Sequence, residues 1–97
     1  MMRETNEYGY ATKTVNGGEL TIKDCQMGTR NSSVARRLLA YEDVCCVRVE
    51  YDGTVTVHVD SENTQSTRDI IPSDYTVERA MVHGGEGASA HIGIRQQ

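Results

Sequence analysis

The sequence predicts an α+β fold: a two-layer sandwich in which a mostly antiparallel sheet carries two helices on one face, in the order ββαββαβ. Three observations carry this. Residues 44–60 are two alternating runs joined by Asp52-Gly53, a strong short-range hairpin signal. Asn16-Gly17-Gly18 marks a second turn between alternating runs. Each hairpin is followed by apolar residues at helical spacing behind capping residues.

The first hairpin is expected to join residues 8–15 to residues 19–25. Leu20 and Ile22 face inward, beside either Tyr10 and Thr12 or Ala11 and Val15. Residues 26–30 connect to a helix that opens near Asn31-Ser32-Ser33 and runs through Tyr41. Its stripe is Val34, Leu38 and Tyr41, widened by Ala35 and Leu39, with Arg36 and Arg37 toward water.

In the central hairpin valine must face valine, because residues paired across a ladder share a face. A three-residue Tyr51-Asp52-Gly53 loop satisfies this, setting Val49 against Val55 and Val47 against Val57. The outward row then pairs Arg48 with Thr56 and Cys46 with His58, while Cys45 points inward. Residues 61–68 read as a polar loop, and Asp69-Ile70-Ile71 as a short strand or a lead-in. Pro72-Ser73-Asp74 opens a second helix with a Val77, Ala80 and Met81 stripe, ended by Gly84-Gly85. A last strand over 89–95 puts Ala90, Ile92 and Ile94 on one face.

The chain's 97 residues suit one domain with a modest core, with residues 1–7 as a disordered tail. The core is aliphatic, because Phe and Trp are absent. A net charge of −4 disfavours direct nucleic-acid binding and leaves a basic partner open. No apolar run approaches a membrane span or a signal peptide, so a cytoplasmic protein without membrane contact is expected. The odd set Cys25, Cys45 and Cys46 fits reduced thiols.

No constellation reaches a diagnostic chemistry. Cys46 beside His58 has the residue types of half a metal site or of a thiol nucleophile. Zinc spacing such as Cys-x-x-Cys is missing, however, and so are oxyanion donors. Residues 84–89 are rich in glycine but follow a helix rather than open one, which reverses the order of a phosphate cradle. Arg30, Arg36 and Arg37 form a small basic patch with Glu42 and Asp43 close behind. The acidic residues are scattered, and none sits in an apolar setting that would split a carboxylate pair. No catalytic residue, metal or cofactor is therefore expected. In outline, residues 32–60 (helix, strand, hairpin return) resemble the later part of small metal-carrier ferredoxin-like domains. The Cys-x-x-Cys that defines those is absent, so the resemblance implies no site residue.

The favoured reading is a small non-enzymatic protein-interaction module. Its sharpest form is a phage or mobile-element type inhibitor that blocks a host protein such as a nucleic-acid-binding complex. The partner-binding residues expected are Tyr8, Tyr10, Arg36, Arg37, Arg48, Glu50, Asp52, His58 and Asp60. Exposed edge strands are expected at the N-terminus and at His91, Ile92 and Ile94, where a partner chain or a second copy could add a strand. Two alternatives stand beside it: a thiol- or metal-dependent protein using Cys46 and His58, and a homo-oligomeric subunit, a homodimer at its simplest, joined through edge strands.

Overall fold

The first turn shows how local chemistry sets the frame. Asn16 and Gly17 both adopt positive φ, 51° and 81°, which is what a two-residue loop of the primed type needs to match strand twist. It joins β1 (Tyr10–Val15) to β2 (Gly18–Lys23), with Ala11 opposite Ile22 and Val15 opposite Gly18. Of the two registers open to this hairpin, the chain takes the one with Ala11 and Val15 inward. These observations come from a computed structural model that describes residues 10–97. Tyr8 and the expected tail at residues 1–7 lie outside the described residues.

A single 3₁₀ turn at Asp24–Gln26 leads to α1 (Arg30–Leu38). The cap is Thr29 rather than the expected Asn31 to Ser33 group: its hydroxyl accepts from Ser32 N at 3.3 Å. Asn31 is drawn elsewhere, donating to Gly53 O at 3.2 Å and accepting from the Tyr75 hydroxyl. The helix ends at Leu38, short of Tyr41, which is 48% exposed.

Then come β3 (Val44–Val49) and β4 (Val55–Val59), in the expected register of Val49 with Val55, Val47 with Val57, Arg48 with Thr56 and Cys46 with His58. Gly53 N donates to Glu50 O at 3.1 Å and Glu50 N to Thr54 O at 2.9 Å. Gly53 itself takes φ 93°, closing the turn with a bulge. One detail differs. The ladder shifts between Val44 and Cys46, so Val44 takes the core position opposite Val59. Cys45 is therefore set aside from the inward row, half-buried, its thiol 3.4 Å from His58 O.

The region expected to be a loop contains a short helix, α2 (Gln65–Asp69), and Asp69-Ile70-Ile71 closes it rather than forming a strand. The segment expected to be the second helix is a strand, β5 (Tyr75–His83), paired with β6 (Ser89–Gln96). The cause is a bulge between Val77 and Arg79. It changes the series on the helix side of the sheet from 75, 77, 79, 81 to Tyr75, Val77, Ala80 and Val82, opposite Gln96, Ile94, Ile92 and Ala90. Of these, Tyr75 and Val77 meet the core, while Ala80 and Val82 are exposed. A strand with one extra residue thus leaves Val77 and Ala80 three apart, the spacing of a helix. The observed order is ββαββαββ, one strand more than expected.

Together the strands form a six-stranded mixed sheet ordered β1-β2-β3-β4-β6-β5. Among the described residues only β2 and β3 run parallel, joined through α1. α1 packs against β2, β3 and β4. Its Val34, Ala35 and Leu38, with Leu39 just beyond, join Leu20, Ile22, Val47, Val49, Val55, Val57, Ile92 and Ile94 in one core cluster. Each fully buried valine, leucine or isoleucine side chain contributes roughly 1.5–3 kcal/mol. Gly18 marks the tightest approach: a Cβ there would stand 2.6 Å from Leu39 Cδ2 and 3.0 Å from Cys45 O.

Among the described strands, β1 and β5 lie at the edges. The expectation that His91, Ile92 and Ile94 line an edge is corrected, because β6 pairs on both sides, with β4 and with β5.

Candidate protein-interaction face

Alternation along six strands leaves every second side chain on the sheet surface opposite the core. No described helix packs on that surface. It carries Tyr10 from β1, Arg48 and Cys46 from β3, Thr54, Thr56 and His58 flanking and along β4, and His91, Gly93 and Arg95 from β6.

Two clusters organise it. In the first, the Tyr10 hydroxyl donates to Glu50 Oε2 at 2.6 Å, and Arg48 Nε meets Glu50 Oε1 at 2.6 Å. The Arg48 guanidinium also lies 4.6 Å from the centre of the Tyr10 ring, a cation–π distance. The Tyr10 contact, more than Glu50, holds the Arg48 guanidinium firmly in its charged form.

The second is a groove bounded by Glu50, Asp52, Thr54, Thr56, Glu78, Arg79, Met81, His91 and Arg95, with Gly93 at its floor. A Cβ on Gly93 would make only ordinary contacts, 3.6 Å to Arg79 Cβ and 3.9 Å to Thr54 Cγ2. Arg95 closes one end. It donates to Glu78 Oε1 at 3.0 Å, Asp52 O at 2.6 Å and Thr54 Oγ1 at 2.8 Å, tying the central turn to β5. Asp52 accepts from Thr54 N at 2.9 Å, and this bond, ahead of the nearby Arg95 charge, lowers its carboxyl pKa.

At the other end of the groove lie imidazoles. His58 and His91 stand directly opposite each other, ring centres 3.9 Å apart and tilted by 32°. His83 meets His91 edge-on at 6.4 Å. Burial, then the His91 and Arg48 charges, push the His58 pKa down. Burial, then Glu19, push the Cys46 thiol up, against the pull of Arg48. A raised thiol pKa is the reverse of what a nucleophile needs. Cys45 is likewise raised, chiefly by burial. Among the described residues, no three His, Cys, Asp or Glu side chains are already gathered round a point that could hold a metal ion.

Of the residues expected to bind a partner, the fold brings Tyr10, Arg48, Glu50, Asp52 and His58 to this one face. Arg36 and Arg37 are exposed on α1, away from it, and Asp60 is exposed just past the end of β4. Arg30 of the expected basic patch is engaged by Asp74 through two bonds of 2.9 Å. Glu78, Arg79, Met81, His83 and Arg95 complete the face without having been expected there. The run Tyr75-Thr76-Val77, aromatic and β-branched, was the available signal that their segment is a strand. Among the described residues, no helix is long and apolar enough to cross a membrane. Comparison of the chain with protein-family models, with curated proteins and with solved structures found no match.

Proposed function

We propose that this protein is a small non-enzymatic module that binds another protein on the open face of its sheet. One observation carries the reading: Tyr10 of β1 joins Arg48, Glu50, Asp52 and His58 of the central hairpin on the same helix-free face beside a groove. With both helices on the buried side, a two-layer arrangement leaves this face as the broadest surface for a partner. Its charges are largely matched within the face, as Arg48 with Glu50 and Arg95 with Glu78 and Asp52 show. Shape and hydrogen bonding, with Tyr10 and Met81 as larger contacts, are then its main offer. The inhibitor of a basic or nucleic-acid-binding host protein is the sharper form of the same reading, and it rests on the net charge of −4.

The test is capture of a stoichiometric partner from host lysate, repeated with two variants. Thr56→Arg fills the groove and abolishes capture, whereas the Arg36→Ala, Arg37→Ala double variant on α1 retains it. Loss with the helix variant and retention with Thr56→Arg would move the binding surface to α1. Affinity that falls steeply between low and physiological salt supports the basic-partner form. A flat salt response leaves the module and removes that form.

A further inference from the structure

The three histidines of the chain are far apart in sequence, at 58, 83 and 91, yet they stand on three adjacent strands of one open face. His58 on β4 is the direct partner of His91 on β6, and His83 on β5 is displaced diagonally from His91, itself pairing with Ser89. Directly opposed residues on neighbouring strands hold their Cβ atoms about 5 Å apart, within reach of one ion for two imidazoles.

Ring separations sharpen this. With metal–nitrogen bonds of about 2 Å and tetrahedral angles, two imidazoles on one ion place their centres about 5 Å apart. The observed 3.9 Å for His58–His91 and 6.4 Å for His83–His91 bracket that value. The rings are not gathered on a point, but a change of about an ångström in each of these two separations brings both neighbouring pairs to it, with His91 in the middle. His83 is exposed and has room to turn.

We propose that His58, His83 and His91 bind a late first-row divalent transition-metal ion, Zn²⁺ or its analogue Co²⁺, through three imidazoles, leaving a fourth position open to water or to a group from a partner. Imidazole suits these ions, whereas Mg²⁺ and Ca²⁺ prefer oxygen. Cys46 lies on the far side of His58 from His91 and is not a ligand. The motif is invisible as spacing because each ligand comes from a different strand.

Calorimetric titration of the whole chain with ZnCl₂ or CoCl₂ alone tests this. One ion per chain is expected, with no heat from MgCl₂, and the Co²⁺ complex is expected to show d–d absorption without a sulfur-to-metal charge-transfer band. His91→Gln, with the central ligand gone, abolishes binding at concentrations that saturate the parent. His58→Gln and His83→Ala each weaken it by at least about tenfold, the least that loss of even an outer-shell group costs. Cys46→Ser leaves it unchanged. Circular dichroism melts confirm that each variant is folded, and His83→Ala, at an exposed position, reports even if the others unfold. No binding by the parent chain at millimolar metal overturns the proposal, as does binding that survives His91→Gln. A charge-transfer band that disappears in Cys46→Ser overturns the three-imidazole assignment in favour of a thiolate site.

Discussion

At the scale of single residues, the opposed histidines have a cost that pH exposes. Burial disfavours a proton on His58, and the His91 ring, its centre 3.9 Å away, disfavours it further. The His58 pKa is lowered in the folded state, so below about pH 6.5 the unfolded chain takes up its proton first. Stability from this group is then complete above about pH 6.5 and declines as pH falls toward the folded value. Urea denaturation at about pH 7.5 and about pH 5.5 should show the loss, and His58→Gln should reduce it. Asp52 and Asp74 do not confuse the readout. Hydrogen bonds from Thr54 and Arg30 respectively hold their pKa values low, so their contribution fades only below about pH 4. An equal pH slope in His58→Gln would show that another group controls the acid limb.

Secondary-structure elements bring the question of edges. Both edge strands carry devices that discourage pairing with another chain. β1 sets Lys13 on the core side of the sheet, opposite Leu20. β5 is interrupted by its bulge and places Glu78 and Arg79 there, both exposed. These features favour the open face over the edges as the binding surface, although Met81 and Val82, 51% and 50% exposed, leave β5 with some apolar area. Lys13→Val should convert β1 into an adhesive edge, giving a concentration-dependent increase in sedimentation coefficient over the parent chain. A variant that sediments as the parent does would mean that Lys13 is not the guard. The bulge has a second effect: it is why β5 resembled a helix before its partner was known. α1, lacking any such irregularity, was readable to within a turn at its C-terminal end, although its cap was misplaced. Asn31, a strong capping type, is instead used to tie α1 to Gly53 and Tyr75.

Over the whole molecule, the strands are unequally held. The β1–β2 hairpin joins the rest of the sheet through one short parallel ladder, Glu19 to Ile22 against Cys46 to Val49. β4 and β6 are instead bounded by antiparallel partners on both sides. Native-state hydrogen exchange should therefore find β1 and β2 amides opening together at lower free energy than those of β4 and β6. Uniform protection across the sheet would make it a single cooperative unit. This hierarchy follows the limit of what could be read in advance. The central hairpin, its three-residue loop and the inward Ala90, Ile92, Ile94 row were legible because valine and isoleucine alternate and Gly53 tolerates positive φ. The parallel β2–β3 pairing and the meeting of His58 with His91 were not, because long-range strand order leaves no local mark. Half of the candidate face was thus readable from β1, β3 and β4, and the other half waited on the neighbours of β6.

The position of β6 also bears on how the protein is made. Its Ala90, Ile92 and Ile94 are fully buried, and it fills the gap between β4 and β5. As the chain leaves the ribosome, Val55, Val57 and Val59 stand beside an unpaired backbone until residues 89–96 arrive. Of the six described strands, the last in sequence is inserted into the interior rather than added at the rim. A nascent chain stalled before residue 89 presents an open valine-rich edge, the kind of surface that chaperones shield and that seeds aggregation.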